Sequence, residues 1–171
     1  MPKNNIPRSR QTQQVQQSRG GAGIIKIKKI KKKPVELLII QLMNARNEAQ
    51  LFHWQTKSYA EHKTLDGFVE EIQKKLDEFA EILQGMIFRR LDFSGLEKNM
   101  MNTFRYKNST KSSFFKTLSK LRDHLVDMEK RYNITDDIHT HDTPEHTNGL
   151  DNVRDEIVGL IDQTRYLLTF L

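Results

Sequence analysis

The 171-residue chain contains no cysteine. A disulfide framework, a thiolate zinc site and a cysteine nucleophile are therefore excluded. Any metal would take nitrogen and oxygen ligands from His, Asp and Glu. Long apolar runs are missing too, and no stretch approaches the roughly 20 residues of a membrane span. The opening Met-Pro-Lys-Asn-Asn leads into no apolar segment of the kind a secretory signal needs. The sequons at Asn108 and Asn133 are accordingly expected to go unused, in an intracellular or intravirion protein. One sign of charge is absent from a whole region: residues 1–34 hold ten Lys or Arg and no Asp or Glu. The other 18 of the 28 basic residues stand against all 22 acidic ones, so the chain's formal net charge of +6 belongs to its tail. A basic arm and a mildly acidic body have separate jobs. The arm also lacks aromatic residues, which excludes base stacking as its mode.

Residues 1–23 are rich in Gln, Ser, Asn, Arg and Gly. With almost no large apolar side chain they cannot offset chain entropy, and are expected to be disordered. "IIKIKKIKKKP" follows at 24–34. It reads as a solvated linker, a nuclear-import patch or an arm for nucleic-acid phosphates. Uncompensated cations on a mobile segment favour DNA phosphates through counterion release, which makes Lys26, Lys28, Lys29, Lys31, Lys32 and Lys33 the candidate DNA-binding residues. The domain reading is a disordered basic tail over 1–34 and one folded domain over 35–171, long enough for a sizeable core.

From Val35 the apolar spacing is helical. Helix one, 35–57, aligns Leu38, Leu42, Ala45, Ala49 and His53. After a break at "TKSYAEHK", helix two, 61–90, aligns Leu65, Phe68, Val69, Ile72, Leu76, Phe79, Ala80, Leu83 and Ile87. An irregular connection over 91–110 is expected to hold a short helix near 95–103. Helix three, 111–132, aligns Phe114, Leu118, Leu121, Leu125 and Met128. "NITDDIHTHD" reads as a loop. Thr143-Pro144 then caps helix four, 144–170, with Leu150, Val153, Ile157, Leu160, Ile161, Thr164, Leu167 and Leu168 along one face. No segment reads as a strand. The pattern predicts an all-α four-helix bundle with one long crossover between helices two and three.

"LFHWQTKSYAEHKTLDGFVEEIQKKLDEFAE", 51–81, packs two histidines, one tryptophan and seven carboxylates into 31 residues. At about 100° per residue, His62, Asp66, Asp77, Glu70 and Glu81 fall within a sector of about 100° that borders the apolar stripe. His62/Asp66 and Asp77/Glu81 are i,i+4 pairs, a spacing that lets two side chains reach one ion. Glu70, Glu71, Lys74, Lys75 and Glu78 read as a solvated face. Asp66 and Asp77 are eleven residues apart, roughly 16 Å along the helix, so one ion with bonds near ~2 Å cannot touch both. One chain therefore offers two half-sites. An antiparallel copy of helix two across a two-fold axis would complete both. His53 would be brought by the short loop towards the His62 end, and Trp54 beside it reads as a packing residue.

In these residues the chain resembles the Dps family, the mini-ferritins or DNA-binding proteins from starved cells. The resemblance rests on His53-Trp54 late in the first helix, on "HKTLDGF" from His62 to Phe68, and on "DEFAE" from Asp77 to Glu81. It implies a ferritin-like bundle and a homo-oligomer with a two-fold interface, a dodecameric shell in the family's form. His53, His62 and Asp66 of one subunit, with Asp77 and Glu81 of its mate, would form a ferroxidase centre. These five are the candidate catalytic and metal-binding residues. The expected function is Fe(II) binding and oxidation by peroxide or oxygen, as in a response to oxidative stress, with DNA binding through the tail. Mixed imidazole and carboxylate ligation suits iron, with Zn or Mn as other occupants. The expected setting is cytoplasmic or nucleoid-associated, or a host cell interior or virion for a viral relative. Two other readings stand beside this one. The first is a non-catalytic ferritin-like oligomer that binds DNA or builds a virion. The second is a zinc site in "HTHDTPEH", from His139, His141, Asp142, Glu145 and His146.

Overall fold

Pro34 opens helix α1, Pro34–Gln55, where a proline sacrifices no helical hydrogen bond. The computed structural model describes residues 34–101, 109–132 and 144–170, and every regular element among them is helical. The expected stripe of α1 is buried at Leu38, Leu42, Ala45 and Ala49, but so are Val35, Ile39, Ile40 and Phe52. A helix apolar over so much of its surface needs cover on several sides.

A three-residue turn, Thr56 to Ser58, follows. Ser58 adopts an extended backbone and its side chain accepts a hydrogen bond from the Glu61 N–H, which caps α2, Tyr59–Met86. The cap starts α2 two residues earlier than the spacing suggested. Leu65, Phe68, Ile72, Phe79 and Leu83 form its buried stripe, with Val69, Leu76 and Ala80 partly buried against the core. The helix also ends early, because Phe88 turns into the left-handed region with φ 49. The turn is held by Glu36 at the start of α1. Its Oε1 accepts from Arg89 Nη1 at 2.5 Å and from the Asp92 N–H at 3.2 Å.

A short helix α3, Glu97–Met101, lies within the expected span. A capping box between Thr110 and Ser113 opens α4, Lys111–Val126. The single helix expected over 111–132 breaks at Asp127, after which α5 runs Met128–Tyr132. Pro144 begins α6, Pro144–Thr169. Thr143, the expected cap, lies outside the described residues, as do the whole of the basic tail through Lys33 and the loop positions 139–142.

The four long helices pack in a cycle: α1 against α2 and α4, and α6 against the same two. The shorter α3 and α5 both lie against α1, which supplies the extra cover its wide apolar surface requires. Phe68, Phe79, Phe114, Leu65, Leu118 and Ile157 are among the fully buried side chains of the shared core. Helix α6 buries Leu150, Val153, Ile157, Ile161, Thr164 and Leu168, whereas Leu167 stays 42% exposed, at the edge of the expected face. No helix among the described residues is long and apolar enough to cross a membrane.

Candidate metal centre

His53 lies in the last turn of α1 and His62 in the first turn of α2, so the three-residue turn sets them face to face. The imidazoles stack with centroids 3.9 Å apart at 24°. Each ring also bonds to the other residue's backbone: His53 Nδ1 to the His62 carbonyl at 3.1 Å, and His62 Nδ1 to the His53 carbonyl at 3.2 Å. A carbonyl oxygen only accepts, so both Nδ1 atoms must donate. In the neutral rings each Nε2 then keeps its lone pair. A ring whose Nδ1–H is held by a carbonyl is oriented and polarised for Nε2 ligation. Neither Nε2 has a hydrogen-bond partner among the described residues.

The turn beneath this pair is tied on several sides. Thr56 donates to Glu61, and its hydroxyl accepts from the Ser58 N–H at 3.2 Å. Glu61 pairs with Lys111 of α4 at 3.0 Å, and Lys111 also donates to the Leu168 carbonyl of α6 at 3.2 Å. Burial works against ionisation of Glu61, but the bonds from Thr56 and Lys111 and the Lys111 charge hold its carboxyl below the ordinary value. The histidine pair therefore rests on a connection linked to α4 and α6 together.

Asp66 lies one turn beyond His62 on the solvent side. Lys63 Nζ bonds it at 3.1 Å, with both side chains more than half exposed. That bond and the Lys63 charge lower the Asp66 carboxyl, and the nearby His53 and His62 act in the same direction. Glu70 and Glu71 pair with Lys74, and Glu78 with Lys75, all on the exposed surface, so the face expected to be solvated is solvated. Lys75 reaches across to Glu156 of α6 as well. Asp77 and Glu81 differ from every other carboxylate of α2. Both are exposed, and neither has a hydrogen-bond or ion-pair partner among the described residues.

The structure thus brings His53 and His62 together, leaves Asp66 one turn away on a lysine, and leaves Asp77 and Glu81 further along the same helix. Among the described residues no group of three or more His, Asp or Glu side chains converges within one chain. Trp54, which reads as a packing residue, is not packed among the described residues of its own chain. It is 69% exposed, and Tyr59, on the other side of the turn, is 78% exposed. The tail lysines lie outside the described residues. Of "HTHDTPEH", only the backbone of Pro144, Glu145 and His146 is described, in the first turn of α6.

Two buried carboxylates went unread in the sequence. Glu36 is fully buried in its pair with Arg89, and Glu48 is fully buried between α1 and α4. Glu48 accepts from Thr117 and lies 3.5 Å from the Ser109 hydroxyl. Helical phase could have found Glu48, which lies three residues after Ala45 and beside Ala49 on the buried stripe. Both serve packing between elements and neither belongs to the histidine pair.

No curated protein and no solved structure matches the chain. One family model does, over residues 53–168, a range that opens at His53 and includes His62, Asp66, Asp77 and Glu81. The chain belongs to that family, a family of unknown function (DUF5856).

Proposed function

We propose that the protein is a Dps-like, ferritin-like mini-ferritin that binds Fe(II) where two copies meet and oxidises it there. The observation that carries this reading is the stacked His53/His62 pair, with both Nδ1–H groups locked on carbonyls and both Nε2 atoms left for an ion. Both Nδ1–H groups are used within the chain, so an ion would meet the two Nε2 atoms. Two imidazoles are an incomplete set, since ions of this class take four to six ligands. The unpartnered carboxylates of the same helix, Asp77 and Glu81, are the natural complement. They lie too far along α2 to serve their own histidines, at about 1.5 Å per residue.

A second copy running antiparallel resolves the distance. Residue numbers of facing positions then sum to a constant, and His62 with Glu81 and Asp66 with Asp77 give the same sum, 143. One register therefore fills both half-sites, twice per two-fold pair. His53, His62 and Asp66 of one copy, and Asp77 and Glu81 of the other, would hold the ion. Lys63 would give up Asp66 to the ion and face Glu81 of the second copy. Carboxylates favour the trivalent product. Each Fe(II) loses one electron, and two such electrons reduce one peroxide to water. The test is anaerobic Fe(II) titration followed by peroxide, watched spectroscopically. Saturation at a fixed ratio to chain and then rapid oxidation is expected; absence of saturable binding overturns the reading.

The tail supports a second activity compatible with the first. Ten cations without one acidic residue over 1–34 suit DNA binding on a homo-oligomer. If the iron reading failed, this would leave a non-catalytic DNA-binding or virion structural protein.

A further inference from the structure

We infer that Tyr59 is an aromatic knob that seats in a hollow around Gly85 of a second copy, and that this seating assembles the metal centre. The inference rests on the two-fold reading above. It starts from a hollow of about 390 Å³ at the end of α2, lined by Glu81, Gln84, Gly85, Phe88, Arg89 and Arg90. Its floor is a helical glycine. A Cβ built on Gly85 meets nothing within 4 Å, so no described residue requires a glycine there, although glycine weakens a helix relative to alanine. Its wall is the turn in which Phe88 holds a left-handed backbone, with φ 49. That conformation is costly for an aromatic residue and points to a demand beyond local folding. The buried Glu36 fixes the wall through Arg89 and the Asp92 N–H. Chain geometry thus maintains a concave surface that no described side chain fills.

The convex counterpart is at the other end of the same helix. Tyr59, the first residue of α2, is 78% exposed and follows a turn braced by Glu61, Lys111 and Thr56. In the register that faces His62 with Glu81, Tyr59 stands opposite position 84, since each pair sums to 143. Position 84 lines the hollow. On the helical wheel Tyr59, Glu81 and Gly85 share a sector of about 80°. Charges agree as well: Glu70 meets Lys74 of the second copy, and Lys63 meets its Glu81, one residue off the same sum. The exposed Arg90 offers a cation to an aromatic face. Two-fold symmetry makes the contact twice. Because Glu81 lines the hollow, seating Tyr59 delivers that carboxylate to the neighbouring His62 and covers the histidine pair from solvent.

Gly85→Leu tests this. Leucine favours the helix and has open space in its own chain, so the monomer folds, but the side chain fills the hollow. Sedimentation velocity should show the wild type as a dimer or larger and Gly85→Leu as a monomer at the same concentration, with unchanged helical circular dichroism. Its Fe(II) oxidation should fall at least tenfold. Tyr59→Ala should weaken association in the same direction. Asp77→Ala separates the two claims, since it should assemble normally and lose oxidation. If Gly85→Leu assembles as the wild type does while Asp77→Ala loses oxidation, the aromatic seat is wrong and the iron reading stands. A monomeric Gly85→Leu beside an Asp77→Ala that oxidises iron at the wild-type rate keeps the seat and ends the iron reading. A wild type that remains monomeric ends both.

Discussion

Glu36→Gln probes the clamp that shapes the end of α2. The wild-type carboxylate is fully buried and accepts two hydrogen bonds, from Arg89 Nη1 and the Asp92 N–H. Hydrogen bonds to a charged group contribute about 1.5–3 kcal/mol and neutral ones about 0.5–1.5, so neutralising the acceptor loses roughly 1 kcal/mol at each. The second oxygen, Oε2, is buried without a partner among the described residues, so an amide nitrogen placed there gains nothing. A net loss of about 2 kcal/mol lowers the melting temperature by roughly 4–8 °C in a chain of this size. The pH dependence identifies the cause. Burial raises the Glu36 pKa, but the bonds from Arg89 and the backbone, and the Arg89 charge, outweigh it and leave the carboxyl below its ordinary 4.5. A depressed folded pKa gives stability that is present above the unfolded value and lost as pH falls through the folded one. The gap in melting temperature between wild type and Glu36→Gln should therefore be full at neutral pH and close as pH drops below 4.5. Thermal melts followed by circular dichroism read both quantities. Equal melting at neutral pH, or a gap that persists unchanged at about pH 3, would refute the reasoning.

Phe79→Ala removes a fully buried ring from the shared core, and urea denaturation should show a loss of about 3–5 kcal/mol; a loss below about 1 kcal/mol would contradict the burial. Deleting residues 1–34 removes ten cations and should abolish salt-sensitive DNA retention on a gel. Retention unchanged by the deletion would rule out the tail as the DNA arm.

The helices were legible because burial repeats at helical spacing. Leu38, Leu42, Ala45 and Ala49, and the α2 stripe from Leu65 to Leu83, are buried where their phase put them. The breaks were less legible. Phe88 ends α2 in a backbone conformation that no periodicity encodes, in a turn that Glu36 holds through Arg89, 53 residues along the chain. Asp127 interrupts what apolar spacing alone reads as one helix. At the candidate site, the shared sector of His62, Asp66, Asp77 and Glu81 followed from residue numbers. The reciprocal carbonyl bonds did not, because they depend on a turn of three residues rather than a longer one. Trp54, read as a packing residue, is 69% exposed within the chain, since apolar character tells that a residue seeks cover but not where that cover lies.

The most direct test of the central claim mixes two defective chains. His62→Ala and Asp77→Ala should each fail to oxidise Fe(II) alone. Unfolded together and refolded in equal amounts, they form mixed pairs in which one site takes His62 from one chain and Asp77 from the other. Random pairing then restores about one quarter of the wild-type sites, and the oxidation rate should recover in that proportion. A mixture as inactive as its components, under conditions where the two chains demonstrably associate, would contradict a centre shared between subunits.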